Sequence, residues 1–428
     1  MRRSLALTAA VAALGSAALA PAAASAGSWT APRAATGAGR SFLPSVTADL
    51  RGRLAVGFLR TLDGRSRAEV RTGRTRDFFR GDSIVLDRST HSMSDITVAL
   101  PSDGGRLAVA WRRFESRAHR LRAATIDARR AFGTPQPLTA TGPESAYEPE
   151  FVAGTDGSRR LVWSRRTTSR GRPVLGSVFG APFALPAPGV GSTPQVAVDL
   201  DSTTVVVWVD VAAGRVLAAQ APAGGAFGTP VVLSGPGRAR DPQVTVSEAG
   251  AALAAWVETT GAGNAVRAAV RPRGGTFAPS IEVADATQRA FSPRLLSTSA
   301  GEVLLAWVNA TTTTGFGGGR GIVRLQRLRA TGAPVGARIG LSPDGVRSRE
   351  PVLAHDGVGS AFASWLAFRG GRTTVQARRL APGGITGPAR TLSRGTVEDQ
   401  SAPALAGAAG RAVAAWVQGG DVRYAIYR

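Results

Sequence analysis

The chain has 428 residues, a formal net charge of +23 and no cysteine. The lack of cysteine excludes disulfide bonds, a lipoprotein anchor, cysteine-ligated zinc and cysteine nucleophiles. All 52 basic residues are arginine, and the sequence is rich in Ala and Gly. The positive charge is open to two interpretations: attraction to polyanions, or the codon usage of a high-GC bacterium.

Residues 1–26 have the features of a signal peptide. Two arginines precede an apolar segment at 5–20, and the small residues at 24–26 form a cleavage site. The apolar segment is shorter than the ~20 residues that a membrane-spanning helix needs. We expect cleavage near Ala26 and export, by an undetermined route, of a protein that starts at Gly27. It would be secreted or held at the cell surface, without a membrane span.

A short apolar run that ends in an aromatic residue occurs eight times along the chain. Successive aromatics are 45 to 58 residues apart, and most follow a proline by 14 residues. Two markers that stay in phase over this distance indicate an internal repeat. The aromatics are Phe58, Trp111, Trp163, Trp208, Trp256, Trp307, Trp365 and Trp416.

Each repeat contains four short runs rich in Val, Leu and Ala, separated by Gly, Asp and Ser, which is the pattern of strands and turns. Repeats of this length with four strands indicate the blades of a β-propeller. The last repeat has only three strands, and residues 29–36 match the fourth strand of the others. We therefore predict an all-β, eight-bladed β-propeller of four-stranded blades, whose ring is closed by the N-terminal strand completing the last blade. A seven-bladed or irregular ring and a linear β-solenoid are the alternatives.

The predicted domain organisation follows from these repeats. A signal peptide at 1–26 precedes a single propeller domain at 27–428. Its predicted parts are a closure strand and linker at 28–40, blades 1 to 7 at 41–92, 93–145, 146–190, 191–238, 239–288, 289–345 and 346–398, and three strands of blade 8 at 399–428.

The repeated aromatics are expected to have a structural role. Each occupies the same position of a second strand, where its ring would fill the space between adjacent sheets rather than bind carbohydrate. Trp29 in the closure strand joins the eight repeated aromatics in this set.

Motifs for catalysis or metal binding are scarce. His91, His119 and His355 lie in different repeats and lack the spacing of metal ligands. The carboxylates at 199 and 201 lack the later ligands of a calcium loop. The Asp-Gly pair after His355 fits a turn between first and second strands. We predict no metal, no cofactor and no catalytic residue with a recognisable motif.

Over residues 28–428 the chain resembles secreted bacterial β-propeller repeat proteins in general. The run SDGGRLAVAW at 102–111 is similar to the Asp-box of sialidases, but it lies between the first and second strands. The docking motif of quinoprotein dehydrogenases and the Trp-Asp ending of tryptophan–aspartate repeats match no unit. The resemblance therefore implies the fold and no particular activity.

A basic arc on blades 1 to 3 is the candidate ligand-binding site. The residue two positions after each aromatic begins a loop that would face the channel mouth, and in blades 1 to 3 it is arginine. Residues 40–172 hold 25 arginines, against 24 in the longer remainder at 173–428. The candidate residues are Arg60, Arg113 and Arg165, with the neighbouring Arg112 and Arg166.

Two binding or catalytic functions are consistent with this arrangement, and a purely structural or protein-interaction ring without a small ligand is a third possibility. The main hypothesis is a non-enzymatic binding module that holds an anionic surface polymer or an acidic protein on the basic arc. The alternative is a glycan-active hydrolase or lyase that uses channel-mouth carboxylates. The candidate carboxylates precede or follow strand-starting prolines: Glu148, Glu150, Asp241 and Glu350. Nucleic acid is not an expected partner, because the basic loops lack interleaved aromatics, and we expect a monomer.

Overall fold

A computed structural model describes the polypeptide at residues 27–77, 79, 81–101, 105–126, 132–139, 145–153, 159–166, 171–176, 183–186, 191–235, 238–299, 301–310, 321–382, 384–398 and 402–428. The predicted signal peptide and the Asp-Gly turn at 102–105 lie wholly or mostly outside these residues. Almost all of the regular structure is β-strand, and a single turn of 3₁₀ helix at Ala286–Gln288 is the exception among the described residues.

The strands are numbered here in chain order. The first is β1 (Arg33–Ala34), which is followed by β2 (Arg40–Ala48), β3 (Arg53–Leu62), β4 (Arg65–Arg74) and β5 (Ile84–Ser89). Next are β6 (Met93–Ala99), β7 (Leu107–Glu115), β8 (Ala118–Ile126), β9 (Gln136–Pro137), β10 (Ser145–Ala153), β11 (Arg159–Arg166), β12 (Gly171–Gly176) and β13 (Phe183–Ala184). They continue as β14 (Gly191–Val198), β15 (Thr204–Asp210), β16 (Arg215–Ala221), β17 (Val231–Val232), β18 (Arg238–Val246), β19 (Ala252–Thr260), β20 (Gly263–Arg271) and β21 (Ile281–Ala284). The last are β22 (Ala290–Ser297), β23 (Glu302–Ala310), β24 (Gly321–Arg329), β25 (Pro334–Gly340), β26 (Arg347–His355), β27 (Ala361–Arg369), β28 (Arg372–Ala381), β29 (Gly384–Thr391), β30 (Ala404–Ala408), β31 (Arg411–Gln418) and β32 (Asp421–Tyr427).

Seven antiparallel blades are each formed by four consecutive strands. Blade 1 is β2–β5, and the pattern continues to blade 7, β26–β29. The remaining strands form a sheet of mixed origin in the order β1-β32-β31-β30, which we call the composite sheet. The first strands of the blades, here called the inner strands, contact one another in the cyclic order β2, β6, β10, β14, β18, β22, β26, β30 and back to β2.

This arrangement corrects the eight-bladed prediction, because only seven blades share one construction. In each of the seven, the inner strand carries a β-bulge with a residue at positive φ, which precedes the marker proline wherever that is present. The bulged residues are Leu43, Asp95, Glu148, Thr193, Asp241, Ser292 and Glu350, with φ between 47° and 53°. In the composite sheet β30 pairs with β31 without a register shift.

The N-terminal segment pairs with the last strand of the chain more sparsely than the predicted closure strand would. Only Arg33 and Ala34 form a ladder, opposite Tyr424 and Arg423, while Trp29 makes an isolated bridge to Tyr427. The physical reason is irregular backbone between these contacts, where single hydrogen bonds replace a continuous ladder. The Trp29 ring packs edge-on against Phe362 and Tyr427.

The repeated aromatics fill the interfaces between neighbouring sheets. All eight are at most 1% exposed. Trp111 packs among residues of blade 1 such as Leu59 and Val70. Phe58 of blade 1 packs against the composite sheet. Each aromatic therefore joins its own sheet to the preceding one in the ring.

Most of the buried indole N–H groups with a described partner use an acceptor two residues further along the same strand. Trp256 donates to Glu258 Oε2 at 3.2 Å, Trp307 to Asn309 Oδ1 at 2.6 Å and Trp416 to Gln418 Oε1 at 3.2 Å. Side chains two residues apart lie on the same face of a strand, so this acceptor is local. Trp365 is followed at this position by Ala367, and its N–H has no acceptor among the described residues.

We predict that Trp256→Phe costs more stability than Trp365→Phe. The first substitution leaves the buried Glu258 carboxylate without one of its donors, which costs about 1–3 kcal/mol, whereas the second removes a donor that has no partner. The free energy of unfolding from urea titration of both variants measures the difference. Equal losses would show that the indole–acceptor pairs do not contribute to stability.

Candidate functional site

The inner strands carry one structurally equivalent position around the channel. In each sheet it pairs with the residue that precedes the buried aromatic. The residues at this position, in ring order, are Ser45, Thr97, Glu150, Gln195, Gln243, Arg294, Val352 and Ala404. Four consecutive blades, 3 to 6, therefore present Glu, Gln, Gln and Arg at one level of the channel.

Two of the other three side chains act on the Glu150 carboxyl group. The Gln195 side chain hydrogen-bonds to the Glu150 carboxyl group, and the positive charge of Arg294 acts on it. Blades 3 and 6 are not neighbours, so the Glu150–Arg294 interaction crosses the space that the inner strands enclose. We call Glu150, Gln195, Gln243 and Arg294 the inner-ring cluster.

Backbone contacts hold the cluster in place. Gln195, Gln243 and Arg294 each donate a hydrogen bond to the carbonyl oxygen of the proline that precedes them, at 3.0, 2.9 and 2.9 Å. This hydrogen bond to the proline carbonyl recurs in three blades because the bulged residue before the proline has nearly the same positive φ in each. The bulge thus orients the cluster as well as bending the strand.

The environment of Glu150 raises its pKa to about 7. Removal from water is the largest cause, since it disfavours the charged form, while Arg294 and the Gln195 hydrogen bond act in the opposite direction. A carboxyl group that exchanges its proton near neutral pH is suited to general acid–base catalysis.

The other three carboxylates predicted for the channel mouth lie on the bulges. Glu148 Oε2 accepts hydrogen bonds from Ser164 Oγ at 3.0 Å and from the backbone N–H of Thr193, in the next blade, at 2.7 Å. Glu148 therefore links blade 3 to blade 4. Asp241 is part-exposed and lies 3.7 Å from Arg240, and Glu350 has the equivalent position in blade 7.

The arginines of the predicted basic arc in blades 1 and 2 form ion pairs within the protein. Arg60 lies 2.9 Å from the fully buried Glu69. Arg113 pairs with Asp87 at 3.1 Å and also contacts Glu115. With these contacts, only 18% of the Arg113 side chain is exposed.

Arg112 connects two blades at the channel mouth. Its Nε lies 2.6 Å from Asp95 Oδ2 of its own blade, and its Nη1 donates to the carbonyl oxygen of Ala146 on β10 at 3.2 Å. Arg165 is exposed on β11 and has an interaction partner of its own. The side chain of Arg166 lies outside the described residues, so binding by the arc as a whole stays a prediction.

Sequence reasoning missed Gln195, Gln243, Arg294 and the bulged Asp95. A signal for the first three was present, because each directly follows a marker proline. The three histidines do not join the cluster, and burial lowers the pKa of His119 and of His355. Asp356 accepts hydrogen bonds from the backbone N–H groups of Val358 and Ser360, as a turn residue does.

Among the described residues, no group of three or more His, Cys, Asp or Glu is placed to hold a metal ion. Nor does any described helix have the length and apolar character needed to cross a membrane.

No protein-family model and no curated protein sequence matches this chain. Solved structures do resemble it. A puromycin hydrolase S511A mutant complexed with PGG has a TM-score of 0.52 and 16% identity, over 90% of this chain and 59% of that one. A polysaccharide lyase of family PL25, an ulvan lyase bound to -[GlcA(1-4)Rha3S]-, has a TM-score of 0.50 and 9% identity, over 83% of this chain and 97% of that one. The Dos1 propeller has a TM-score of 0.48 and 10% identity, over 92% and 94%.

The two similarities with TM-scores of 0.50 and 0.52 are consistent with the β-propeller fold of the described strands. The chain spans 59% of the length of the puromycin hydrolase that it resembles. At identities of 9–16% the likeness concerns the fold alone.

We predict that Glu150→Gln stabilises the protein at pH 8 relative to the wild type and has little effect at pH 4. The folded-state pKa is raised to about 7, so wild-type stability falls as the pH rises from the unfolded value to about 7. Because Gln does not titrate, the variant escapes this loss, which amounts to at most about 3 kcal/mol.

The measurement is the free energy of unfolding as a function of pH. Glu282→Gln is the matched control, because Glu282 is on the outer strand β21 in a part-exposed pair with Arg267. A difference between wild type and Glu150→Gln that does not change with pH would contradict a Glu150 carboxyl group whose pKa is about 7.

Proposed function

We propose that the protein cleaves acidic polysaccharides by β-elimination at the inner-ring cluster. The observation that carries this proposal is the composition of the cluster: one carboxyl group with a pKa of about 7, which is hydrogen-bonded to an amide and lies within the electrostatic influence of a guanidinium group. A lyase acting on a uronic acid needs such a set, namely a base for one proton and cationic or amide groups for the substrate carboxylate.

The cluster supplies each part of the reaction. Ionised Glu150 removes the proton from C5 of the uronic acid, and the electron pair left behind forms the C4–C5 double bond. The C4–O4 bond breaks, and the proton held by Glu150 is available to the leaving O4. Arg294 and the two glutamines bind the substrate carboxylate and stabilise the negative charge that develops on it.

A hydrolase is less consistent with the cluster. Hydrolysis by inversion or retention uses two carboxyl groups about 5–9.5 Å apart. Among the described residues, the charged group that acts on Glu150 is Arg294, not a second carboxylate. The bulged Glu148, two residues away, is already bonded to Ser164 and Thr193.

Two further observations support an anionic substrate. The net charge of +23 and the dense arginines of blades 1 to 3 create a positive field, which raises the local concentration of a polyanion. The ulvan lyase of similar fold is bound to a glucuronic acid-containing ligand. The non-enzymatic hypothesis, in which the arc only holds such a polymer, differs from this proposal in predicting no cleavage.

The test is an activity assay on polygalacturonate, alginate, hyaluronan, chondroitin sulfate and ulvan, monitored by the ultraviolet absorbance of the unsaturated product. We expect one of them to be cleaved, with kcat/KM rising with pH to a plateau above about 7, because Glu150 acts in its ionised form. Glu150→Gln should lower kcat by at least about 100-fold while leaving polymer binding intact.

Two further variants are assayed, Arg294→Gln as a second test of the cluster and Glu282→Gln as the control. Arg294→Gln should raise KM and shift the pH profile upward, because the charge that lowers the Glu150 pKa is removed. Glu282→Gln should behave as the wild type. Cleavage that survives in Glu150→Gln, or a wild type that binds these polymers without cleaving any, would overturn the proposal.

A further inference from the structure

Two groups of half-buried aromatic side chains flank the channel at the end where the second strands finish. The first aromatic station is Phe114, His119 and Tyr147, and the second aromatic station is Phe368. All four are partly exposed, whereas the repeated tryptophans are buried. Rings of this kind that stay accessible beside a polar site are available for contact with a ligand.

The first station is a continuous row of rings. The Phe114 and His119 ring centroids are 5.2 Å apart in an edge-on contact, and those of His119 and Tyr147 are 5.7 Å apart. Phe114 and His119 pair across the β7–β8 hairpin, and the His119 N–H donates to Ser145 Oγ at 3.0 Å. The hairpin of blade 2 is thereby fixed to the inner strand of blade 3.

This row leads towards the inner-ring cluster. Tyr147 is on β10, three residues before Glu150, with the bulge between them. The Arg112 guanidinium carbon lies 4.9 Å from the centre of the Tyr147 ring, and its bonds to Asp95 and Ala146 hold it there. The row therefore extends from the hairpin of blade 2 to the inner strand that carries Glu150.

The second station is a single ring at the corresponding place in blade 7, and one side of it packs against the core between blade 7 and the composite sheet. Phe368 comes three residues after Trp365, as Phe114 comes three residues after Trp111. The guanidinium carbons of Arg347 and Arg349, both on inner strand β26, lie 5.0 and 4.7 Å from the centre of the Phe368 ring. Both stations thus combine an aromatic face with guanidinium groups next to the channel.

The two stations lie on opposite sides of the channel. Tyr147 belongs to blade 3 and Phe368 to blade 7, and the inner strands of these blades are four positions apart in the cyclic order in either direction. The blades between them on one side are 4, 5 and 6, which carry Gln195, Gln243 and Arg294. A single sugar cannot reach both stations, but an extended polymer can.

We infer that the ligand binds as an extended acidic polysaccharide across the channel mouth, with sugar rings against both aromatic stations and the segment between them over the inner-ring cluster. The inference rests on the proposed function and specifies its substrate as a chain bound on both sides of the cleaved bond. Apolar faces of the sugars pack on the rings, and the guanidinium groups face the carboxylates of flanking residues. Cleavage then occurs within the chain.

Binding of the polymer that the protein cleaves, or of alginate and chondroitin sulfate if none is cleaved, is measured by fluorescence anisotropy with labelled long chains and labelled disaccharides. We expect His119→Ala and Phe368→Ala each to weaken binding of the long chain roughly tenfold and to leave the disaccharide unaffected. With active protein, KM for the long chain should rise and kcat should stay unchanged.

Two controls separate these effects from misfolding. Phe277→Ala changes a partly buried ring that packs on the outer side of blades 4 and 5, and it should not alter binding. Arg347→Gln removes one guanidinium group of the second station without opening the core, and it should weaken the long-chain complex in the same direction as Phe368→Ala.

The product distribution gives an independent readout. Internal cleavage lowers solution viscosity early and first releases products of mixed length. Release of one short product from the start, or equal losses of long-chain and disaccharide affinity in the station variants, would overturn the inference. Station-dependent binding without any cleavage would support it and refute the proposed lyase activity.

Discussion

The packing of one buried aromatic ring between each pair of neighbouring sheets is the interaction on which the rest of this structure depends. A four-stranded sheet of this size cannot bury both faces alone, so each blade is stable only between two others. Trp111 connects blade 2 to blade 1, and Phe58 connects blade 1 to the composite sheet. Burial of each ring contributes about 2–3 kcal/mol, and the ring-shaped arrangement makes these contributions depend on one another.

The same packing positions the inner-ring cluster. Each buried aromatic fixes its own sheet against the preceding one. The residue before the aromatic pairs with one position of the inner strand, and that position therefore lies at the same level of the channel in all blades. The bulge then presents the next side chain in the same way in each, as the proline carbonyl contacts of Gln195, Gln243 and Arg294 show. Chemical variation at this one position gives small residues in blades 1 and 2, the polar cluster in blades 3 to 6, and the apolar Val352 and Ala404 in the last two sheets.

The sequence predicts the β-propeller fold and its four-stranded repeat, though not the number of blades that share one construction, because its markers have steric causes. The aromatics must fill inter-sheet space, and the prolines follow bulged residues in the left-handed region. The site is harder to predict, as Arg113 illustrates. On strands β19, β23 and β31, the residue two positions after the tryptophan accepts the indole hydrogen bond. In blade 2 that residue is Arg113, and arginine cannot accept a hydrogen bond. Asp87 of blade 1 accepts it instead and also pairs with Arg113. Local charge pairing of this kind is a three-dimensional property.

For Glu150, the position can be read from the sequence but the environment cannot. Its position after a marker proline is visible in the sequence, but the proximity of Arg294 depends on how far apart blades 3 and 6 lie across the channel. The raised pKa depends in turn on how much water the ring excludes, which no local pattern encodes. A carboxyl group kept in this environment costs stability at neutral pH, and functional sites commonly carry such a cost.

The most direct test of this account is a titration of the Glu150 carboxyl group by carbon-13 NMR, in the wild type and in Arg294→Gln. The account predicts a midpoint at about pH 7 in the wild type and a higher one in the variant, because the charge that lowers the pKa is gone. A midpoint near 4.5, unchanged by the substitution, would contradict both the partial removal of Glu150 from water and its interaction with Arg294 across the channel.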